Sequence, residues 1–374
     1  MSIREIEAKS ILRKHKRLDS WFVSCYGMNL YRGCLHNCVY CDGRAEKYQV
    51  EGEFGQDVAV KINAIDLLHK ELDPQRKRKP LRPCFLNIGG GVGDGYQPIE
   101  EKYELTRQTL QLAYEFDYPV QILTKSTLVK RDIDILKKIN NKNRTLVNFS
   151  FSSVNKEISG IFEPGVPSPQ ERLEVIRQFK SEGISCGMFL MPVIPFITDK
   201  PQIMEESIKQ AKEAGVDYII FSGMTLKEGR QEEYFYKVLE ENYPDMMVDY
   251  QNIYKKTKWG NATPEYYSAI HRTFDILASK YKMPKRMPLA FFGDILNEND
   301  RVMVILEHID YLLKLKGQKS PYGFAAYSVS QVKEPLSKMK WSLKSLKGVG
   351  NVTERIIREI LETGSCSYYH KLMM

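Results

Sequence analysis

Short apolar runs alternate with amphipathic stretches over the first 225 residues. Runs at 58–61, 84–88, 119–124, 146–151, 185–191 and 216–221 read as six strands. Between them, 63–72, 99–116, 131–138, 170–182 and 202–214 place apolar residues at helical spacing. Strands and helices alternating at this length predict a parallel sheet covered by helices. The first 19 residues are basic and read as helical. Beyond residue 225 the pattern is helical and tyrosine-rich, over 232–242, 264–280 and 299–315, and Gly317 with Pro321 marks a linker. Val332, Leu336, Met339, Leu343 and Leu346 then share one helical face. After Gly348-Val349-Gly350, Asn351 is expected to cap a second helix with Glu354 as its capping-box partner. That helix buries Val352, Ile356, Ile357 and Ile360 and ends at Gly364. Four regions are expected: a basic segment at 1–20, an α/β core at 21–228, a helical extension at 229–319 and a C-terminal module at 320–374.

Composition narrows the class. The 374 residues are 43% hydrophobic and 27% charged, ordinary values for a globular chain that can bury a sizeable core. No run approaches a membrane span, and no signal-peptide pattern is present. Seven cysteines, an odd number, fit a reducing compartment, so the cytoplasm is expected. The net charge of +8 is concentrated in blocks at 75–82 and 280–286. Such blocks attract a nucleic-acid backbone, or serve only as solvated loops.

Cys34, Cys38 and Cys41 fall within eight residues at C-x3-C-x2-C spacing. Cysteine thiolates hold iron–sulfur clusters, and a cubane takes four. Three in one loop can hold three corners and leave one iron open, as catalytic zinc sites keep an open position. The alternative is a structural zinc loop with His36 as fourth ligand. The second C-x2-C or histidine pair of common zinc modules is absent.

With Tyr40 before the last cysteine, this motif resembles the radical S-adenosylmethionine (radical SAM) superfamily. The resemblance implies a partial (β/α)6 TIM-type barrel with its chemistry at the carboxyl ends of the strands. It also implies a [4Fe–4S] cluster on Cys34, Cys38 and Cys41 that cleaves S-adenosylmethionine to a 5′-deoxyadenosyl radical. Gly89-Gly90-Gly91 would hold the amino group of the cofactor. Asp94-x-Tyr96-Gln97-Pro98-Ile99-Glu100, Thr124-Lys125-Ser126, Phe162-Glu163-Pro164-Gly165, Glu171-Arg172-Leu173 and Met191-Pro192-Val193-Ile194-Pro195 are similar to the spore photoproduct lyase and DNA repair photolyase branch. By that resemblance Lys125 would meet the cofactor's carboxylate or ribose, and Ser150 or Ser152 its methionine or ribose. Tyr40 and the region ending at Pro195 would lie near the adenine, and Glu163 would fix a loop near the substrate.

The chain departs from that branch at one point. Glycine stands before Val92-Gly93-Asp94, where photoproduct lyases carry a hydrogen-donating cysteine. Tyr96 is the expected substitute, Cys84 lies at the far end of its strand, and Cys186 reads as a small core hydrophobe.

Leu346-Lys347-Gly348-Val349-Gly350 looks like the hairpin of a helix-hairpin-helix module. Gly348 and Gly350 bare backbone N–H groups toward a phosphate, and Lys344, Lys347 and Arg355 add charge. The expectation is a radical SAM enzyme acting on DNA, in repair or base modification, with a flavodoxin or ferredoxin as electron donor. The alternatives are an RNA or small-molecule substrate, or a non-catalytic nucleic-acid-binding protein with a structural metal.

Overall fold

A computed structural model describes residues 2–90, 92–255, 259–339 and 342–373. Its strands are β1 (Ser2–Ile6), β2 (Leu12–Asp19), β3 (Ser24–Met28), β4 (Tyr31–Arg32), β5 (Asp57–Lys61), β6 (Leu86–Ile88), β7 (Val120–Thr124), β8 (Thr145–Phe151), β9 (Ser185–Val193) and β10 (Tyr218–Gly223). The larger sheet has the order β10-β9-β8-β7-β6-β3-β2. From β3 to β10 its neighbours are parallel, and β2 closes the edge antiparallel to β3. This is a curled mixed half-barrel with helices outside it. The smaller sheet, β1-β5-β4, stands apart.

Three expectations change here. In the segment expected to be helical, Ser2–Ile6 and Leu12–Asp19 are strands β1 and β2, and they pair into the two sheets. The run at 58–61 is β5 of the small sheet, so β3 is the first parallel strand of the half-barrel. The single helix expected over 99–116 is two, Glu100–Tyr103 and Leu105–Glu115, broken at Glu104 with φ +48°.

The core explains the order. All seven residues of β8 are buried, the mark of a central strand covered on both faces. β2 is an edge strand studded with Arg and Lys, which discourages pairing with another chain. One contiguous apolar cluster joins Cys25 and Tyr26 of β3, Phe149 of β8, Val302 to Leu315 of helix Glu298–Leu315, and Ile357 and Tyr369 near the C-terminus. His308 lies within it, between the Tyr369 hydroxyl and the Ser20 carbonyl, and burial lowers its pKa to about 3. No described helix is long and apolar enough to cross a membrane.

The C-terminal region is built differently from the pattern. Helix Tyr322–Ser330 comes first, and 332–346 forms short turns at Leu336–Lys338 and Leu343–Ser345. Pro335 lacks the N–H that a helix through this stretch would need. Helix Asn351–Thr363 follows, with Gly350 rather than Asn351 at its N-cap and no side-chain cap. Glu354 pairs with Arg358 and Lys344 in place of a capping box. Val352 is exposed, whereas Ile356, Ile357 and Ile360 are buried. Gly364, with φ +84°, ends the helix.

The basic blocks are only partly open: Lys77, Arg78, Lys79 and Lys282 are exposed, whereas other members are engaged. Arg82 pairs with the buried carboxylate of Asp300, Lys285 pairs with Asp275, and Arg286 is buried.

Phe274 stacks on Phe221 at 4.3 Å between centroids and ties helix Pro264–Lys280 to β10. Phe274→Ala is expected to cost about 3–5 kcal/mol. Urea unfolding followed by circular dichroism should show a lower midpoint with an unchanged slope, and an unchanged midpoint would contradict this packing.

Candidate active site

The strand ends of the half-barrel deliver the site. Cys34, Cys38 and Cys41 sit in an irregular loop after β4, and they share a cavity of about 100 Å³ with His36, Gly90, Asp94, Thr124, Lys125 and Ser150. All three thiols are free of disulfide bonds. Burial raises their pKa values, to about 12 for Cys38, so bound iron must displace these protons. Among the described residues, no three His, Cys, Asp or Glu side chains gather closely enough for one metal ion. Three sulfurs spread around one cavity suit a larger group.

An irregular loop needs outside supports to hold three sulfurs in place. The first is Asp94, buried after β6. Its carboxylate accepts hydrogen bonds from Thr124 Oγ1 (2.8 Å), Lys125 N (2.7 Å) and Tyr96 N (2.8 Å). His36 Nε2 lies 3.1 Å from Asp94 Oδ2, and Nδ1 lies 3.0 Å from the Gly165 carbonyl. Each ring nitrogen therefore has an oxygen partner within hydrogen-bond distance. His36 is thus committed on both sides, which removes the zinc ligand set Cys34, Cys38, Cys41 and His36. Burial would raise the Asp94 pKa, but His36 and these N–H groups outweigh it and hold it below the usual carboxylate range.

The second support is Glu163, fully buried after helix Lys156–Phe162. Its carboxylate accepts from the Tyr40 hydroxyl, from Lys125 Nζ (2.9 Å) and from Arg172 Nη2 (2.7 Å). Arg172 also donates to the Ser150 carbonyl at 2.6 Å. Burial opposes ionisation of Glu163, and Lys125, Arg172 and Tyr40 overcome it, so its pKa lies well below normal. Lys125 Nζ further donates to Ser150 Oγ at 2.9 Å and lies 5.5 Å from the centre of the Tyr40 ring. A third support is Arg44, packed between Phe54 and Tyr234, whose guanidinium donates to the Cys38 carbonyl at 3.1 Å.

A second cavity of about 410 Å³ opens beside the first and shares Cys38, Cys41, Lys125 and Ser150 with it. Trp21, Phe22, Phe189 and Met191 wall it, and Phe22 stacks on Phe189 at 5.4 Å. Asp42 also lines it and is ion-paired to Lys227 at 2.6 Å.

Cys34, Cys38, Cys41, Tyr40, Gly90, Lys125 and Ser150 all line these two cavities. Gly89 lies at the edge, with φ +79° and room for no Cβ, because the Leu123 carbonyl would be 2.3 Å away. Gly91 lies outside the described residues. Ser152 is buried off the cavities, and the Pro195 carbonyl accepts from Tyr250, so neither joins the site. Tyr96 is fully buried with its hydroxyl turned to Asp132, 3.1 Å away, so it does not face the cavity as a hydrogen donor. Cys84 and Cys186 are buried elsewhere. Lys344, Lys347, Gly348, Gly350 and Arg355 are exposed together around the start of helix Asn351–Thr363.

The profile of the radical SAM superfamily matches residues 28–206. An uncharacterized protein of Methanocaldococcus jannaschii is 30% identical over 250 residues, which cover 66% of this chain and 86% of that one. The chain belongs to the radical SAM superfamily. An uncharacterized protein of Mycobacterium tuberculosis is 28% identical over 69% of this chain and 75% of its own length. Solved spore photoproduct lyases share the fold. One complexed with dinucleoside spore photoproduct has a TM-score of 0.55 at 17% identity, covering 75% of this chain and 79% of that one. A variant with bound AdoMet has a TM-score of 0.53 at 17% identity, covering 72% and 78%.

The family implies a [4Fe–4S] cluster and S-adenosylmethionine, and the three thiols around one cavity fit that donor set. The sequence names Asp94 and Arg172 only as members of motifs and His36 only as a zinc ligand; it gives none of them, nor Arg44, a supporting role. Trp21 and Phe22 sit in a turn where apolar periodicity carries no signal.

His36→Phe keeps a ring but leaves Asp94 short of a donor, a loss of about 1–3 kcal/mol. Anaerobically reconstituted variant protein should hold less than half the wild-type iron and sulfide. Full iron occupancy would show that the loop does not need this clamp.

Proposed function

We propose that this radical SAM enzyme acts on DNA, in repair or base modification, on a nucleobase drawn into the half-barrel. The observation that carries the reading is the aromatic-walled cavity of about 410 Å³ that meets the cysteine loop at Cys38 and Cys41. Trp21, Phe22 and Phe189 suit a flat ring, and enzymes that do chemistry on a base take it out of the stack. When bound, the cluster and S-adenosylmethionine supply a 5′-deoxyadenosyl radical that abstracts hydrogen. Cys34, Cys38 and Cys41 would hold the cluster. Lys125 and Ser150 would orient the methionine or ribose part of the cofactor, with Lys125 aimed by Glu163. Gly89 and Gly90 let the backbone come close to it, and Gly91 continues that run. Tyr40 would border the adenine.

Photoproduct-lyase chemistry ends with a hydrogen atom returned from a cysteine. Among the described lining residues the only thiols are the three of the cluster loop. The reading therefore stops at repair or base modification and names no lesion. A flavodoxin or ferredoxin would deliver the electron. The exposed hairpin of Lys347, Gly348 and Gly350, with Lys344 and Arg355, would hold backbone phosphates without reading sequence.

With dithionite and S-adenosylmethionine, the reconstituted enzyme should release 5′-deoxyadenosine, and duplex DNA should stimulate release more than RNA of the same sequence. Cys38→Ala should abolish it. Equal stimulation by RNA would move the substrate class, and no release would remove the enzyme. Lys347→Ala with Arg355→Ala should lower the slope of log K against log salt for duplex DNA by about 0.9 per lost phosphate contact. An unchanged slope would remove the hairpin from the interface.

A further inference from the structure

Two aromatic rings stand in solvent beside the basic hairpin. Phe324 is 66% exposed and Tyr327 is 55% exposed. They lie three residues apart on helix Tyr322–Ser330 and so share one of its faces. Single apolar side chains on a surface need no explanation, but two neighbouring rings at one groove ask for one. The groove holds about 390 Å³, and Phe324, Tyr327, Ser328 and Gln331 face the segment 345–347 across it.

The rings are held from below and from the side. Helix Tyr322–Ser330 packs on helix Glu298–Leu315, where a Cβ on Gly323 would come within 3.1 Å of the Asp310 carboxylate. The hairpin is seated on the same helix, because Ser328 Oγ donates to the Lys347 carbonyl at 2.7 Å. A Cβ on Gly348 would lie 2.9 Å from the Ala325 nitrogen and 3.0 Å from Phe324 Cβ. Glycine at 348 therefore lets the hairpin approach closely enough to set Lys347 beside the rings. Lys347 Nζ lies 6.0 Å from the centre of the Phe324 ring.

Charge decides what the groove suits. Residues 320–374 carry eight Lys and Arg against four Glu, half of the chain's net +8. No Asp or Glu lines the groove. Lys347 and Arg355 form no ion pair among the described residues. An apolar protein segment would use the rings and leave these cations idle, and a phosphate alone would use the cations and leave the rings idle. A nucleotide uses both. Grooves that combine basic side chains with aromatic rings hold single strands, because every base has a face that stacks on a ring. A base inside a duplex has both faces covered by its neighbours, so the occupant has to be unpaired.

We infer that Phe324 and Tyr327 form a stacking platform for an unpaired base, in a strand leaving the duplex that the hairpin grips. This rests on the proposed nucleic-acid substrate and adds to it: the preferred ligand is a duplex with a single-stranded tail, not a blunt one.

The test is fluorescence anisotropy of the full-length, reconstituted protein at one salt concentration. The probes are a blunt DNA duplex, the same duplex bearing a single-stranded thymidine tail, and a tailed duplex of RNA. Wild type should bind the tailed DNA about tenfold or more tighter than the blunt duplex. Phe324→Ala with Tyr327→Ala should remove that advantage and bind the blunt duplex as wild type does. Its salt slope should not change, since no phosphate contact is lost. Phe324→Tyr with Tyr327→Phe keeps both rings and should bind as wild type. Phe324→Trp should show emission quenched by the tailed duplex and not by the blunt one, which reads stacking without relying on the alanine variant. Equal binding of tailed and blunt DNA by wild type overturns the inference, as does a tail preference that survives the double alanine change. In both cases duplex-stimulated cofactor cleavage would leave the DNA reading standing. A ring-dependent tail preference shown equally by RNA, with cofactor cleavage stimulated equally by both, would uphold the platform and remove the DNA reading. Self-association lost in the double alanine variant, with tailed-duplex affinity unchanged, would give the face to a second copy of the chain and overturn the inference.

Discussion

Three sulfurs have to point into one cavity from a loop that has no ladder of its own to hold them. Backbone hydrogen bonds are few between Gly33 and Arg44, so side chains from neighbouring strand ends hold the loop. Asp94 and His36 grip it from the β6 and β7 side, and the buried set of Glu163, Lys125, Arg172 and Tyr40 grips it from the β8 side. Buried charge is tolerable there because each carboxylate oxygen has a donor. The same bonds aim Lys125 at the cavity, so supporting the loop and presenting a cofactor-binding group are one arrangement.

That arrangement sets where a substrate can sit. The shared Cys38, Cys41, Lys125 and Ser150 connect the small cavity at the thiols with the larger aromatic one. Trp21 and Phe22 enter that space because β2 turns back antiparallel to β3 at the open edge of the sheet. The basic N-terminal segment leads directly into the wall, which begins at Trp21 and Phe22. Helix Glu298–Leu315 ties the two edges together from outside, with His308 at the Ser20 carbonyl after β2 and Tyr311 at the Phe221 carbonyl of β10.

Much of this was legible in the chain. Strands β6 to β10 follow from apolar runs bounded by turns, and the cysteine spacing announced the cluster loop. β2 was missed because Leu12-Arg13-Lys14-His15-Lys16-Arg17 is polar on an edge, where burial leaves no period-two pattern. β3 was missed because Ser24-Cys25-Tyr26-Gly27-Met28 is short and carries a glycine. A helical face was read through 332–346 although Pro335 stands inside it. Tyr96 looked catalytic from its motif, yet only the packing decides that its hydroxyl meets Asp132. The His36 clamp spans 58 residues to Asp94, a separation that local spacing cannot express.

The central claim is that Cys34, Cys38 and Cys41 hold a cubane with one iron left for the cofactor. Electron paramagnetic resonance of the reduced, anaerobically reconstituted protein tests this most directly, before and after S-adenosylmethionine is added. The account predicts a [4Fe–4S]⁺ signal whose g-values shift on addition, and the loss of that signal in Cys41→Ala. A cubane signal indifferent to the cofactor, or protein that takes up zinc and no iron, would contradict it.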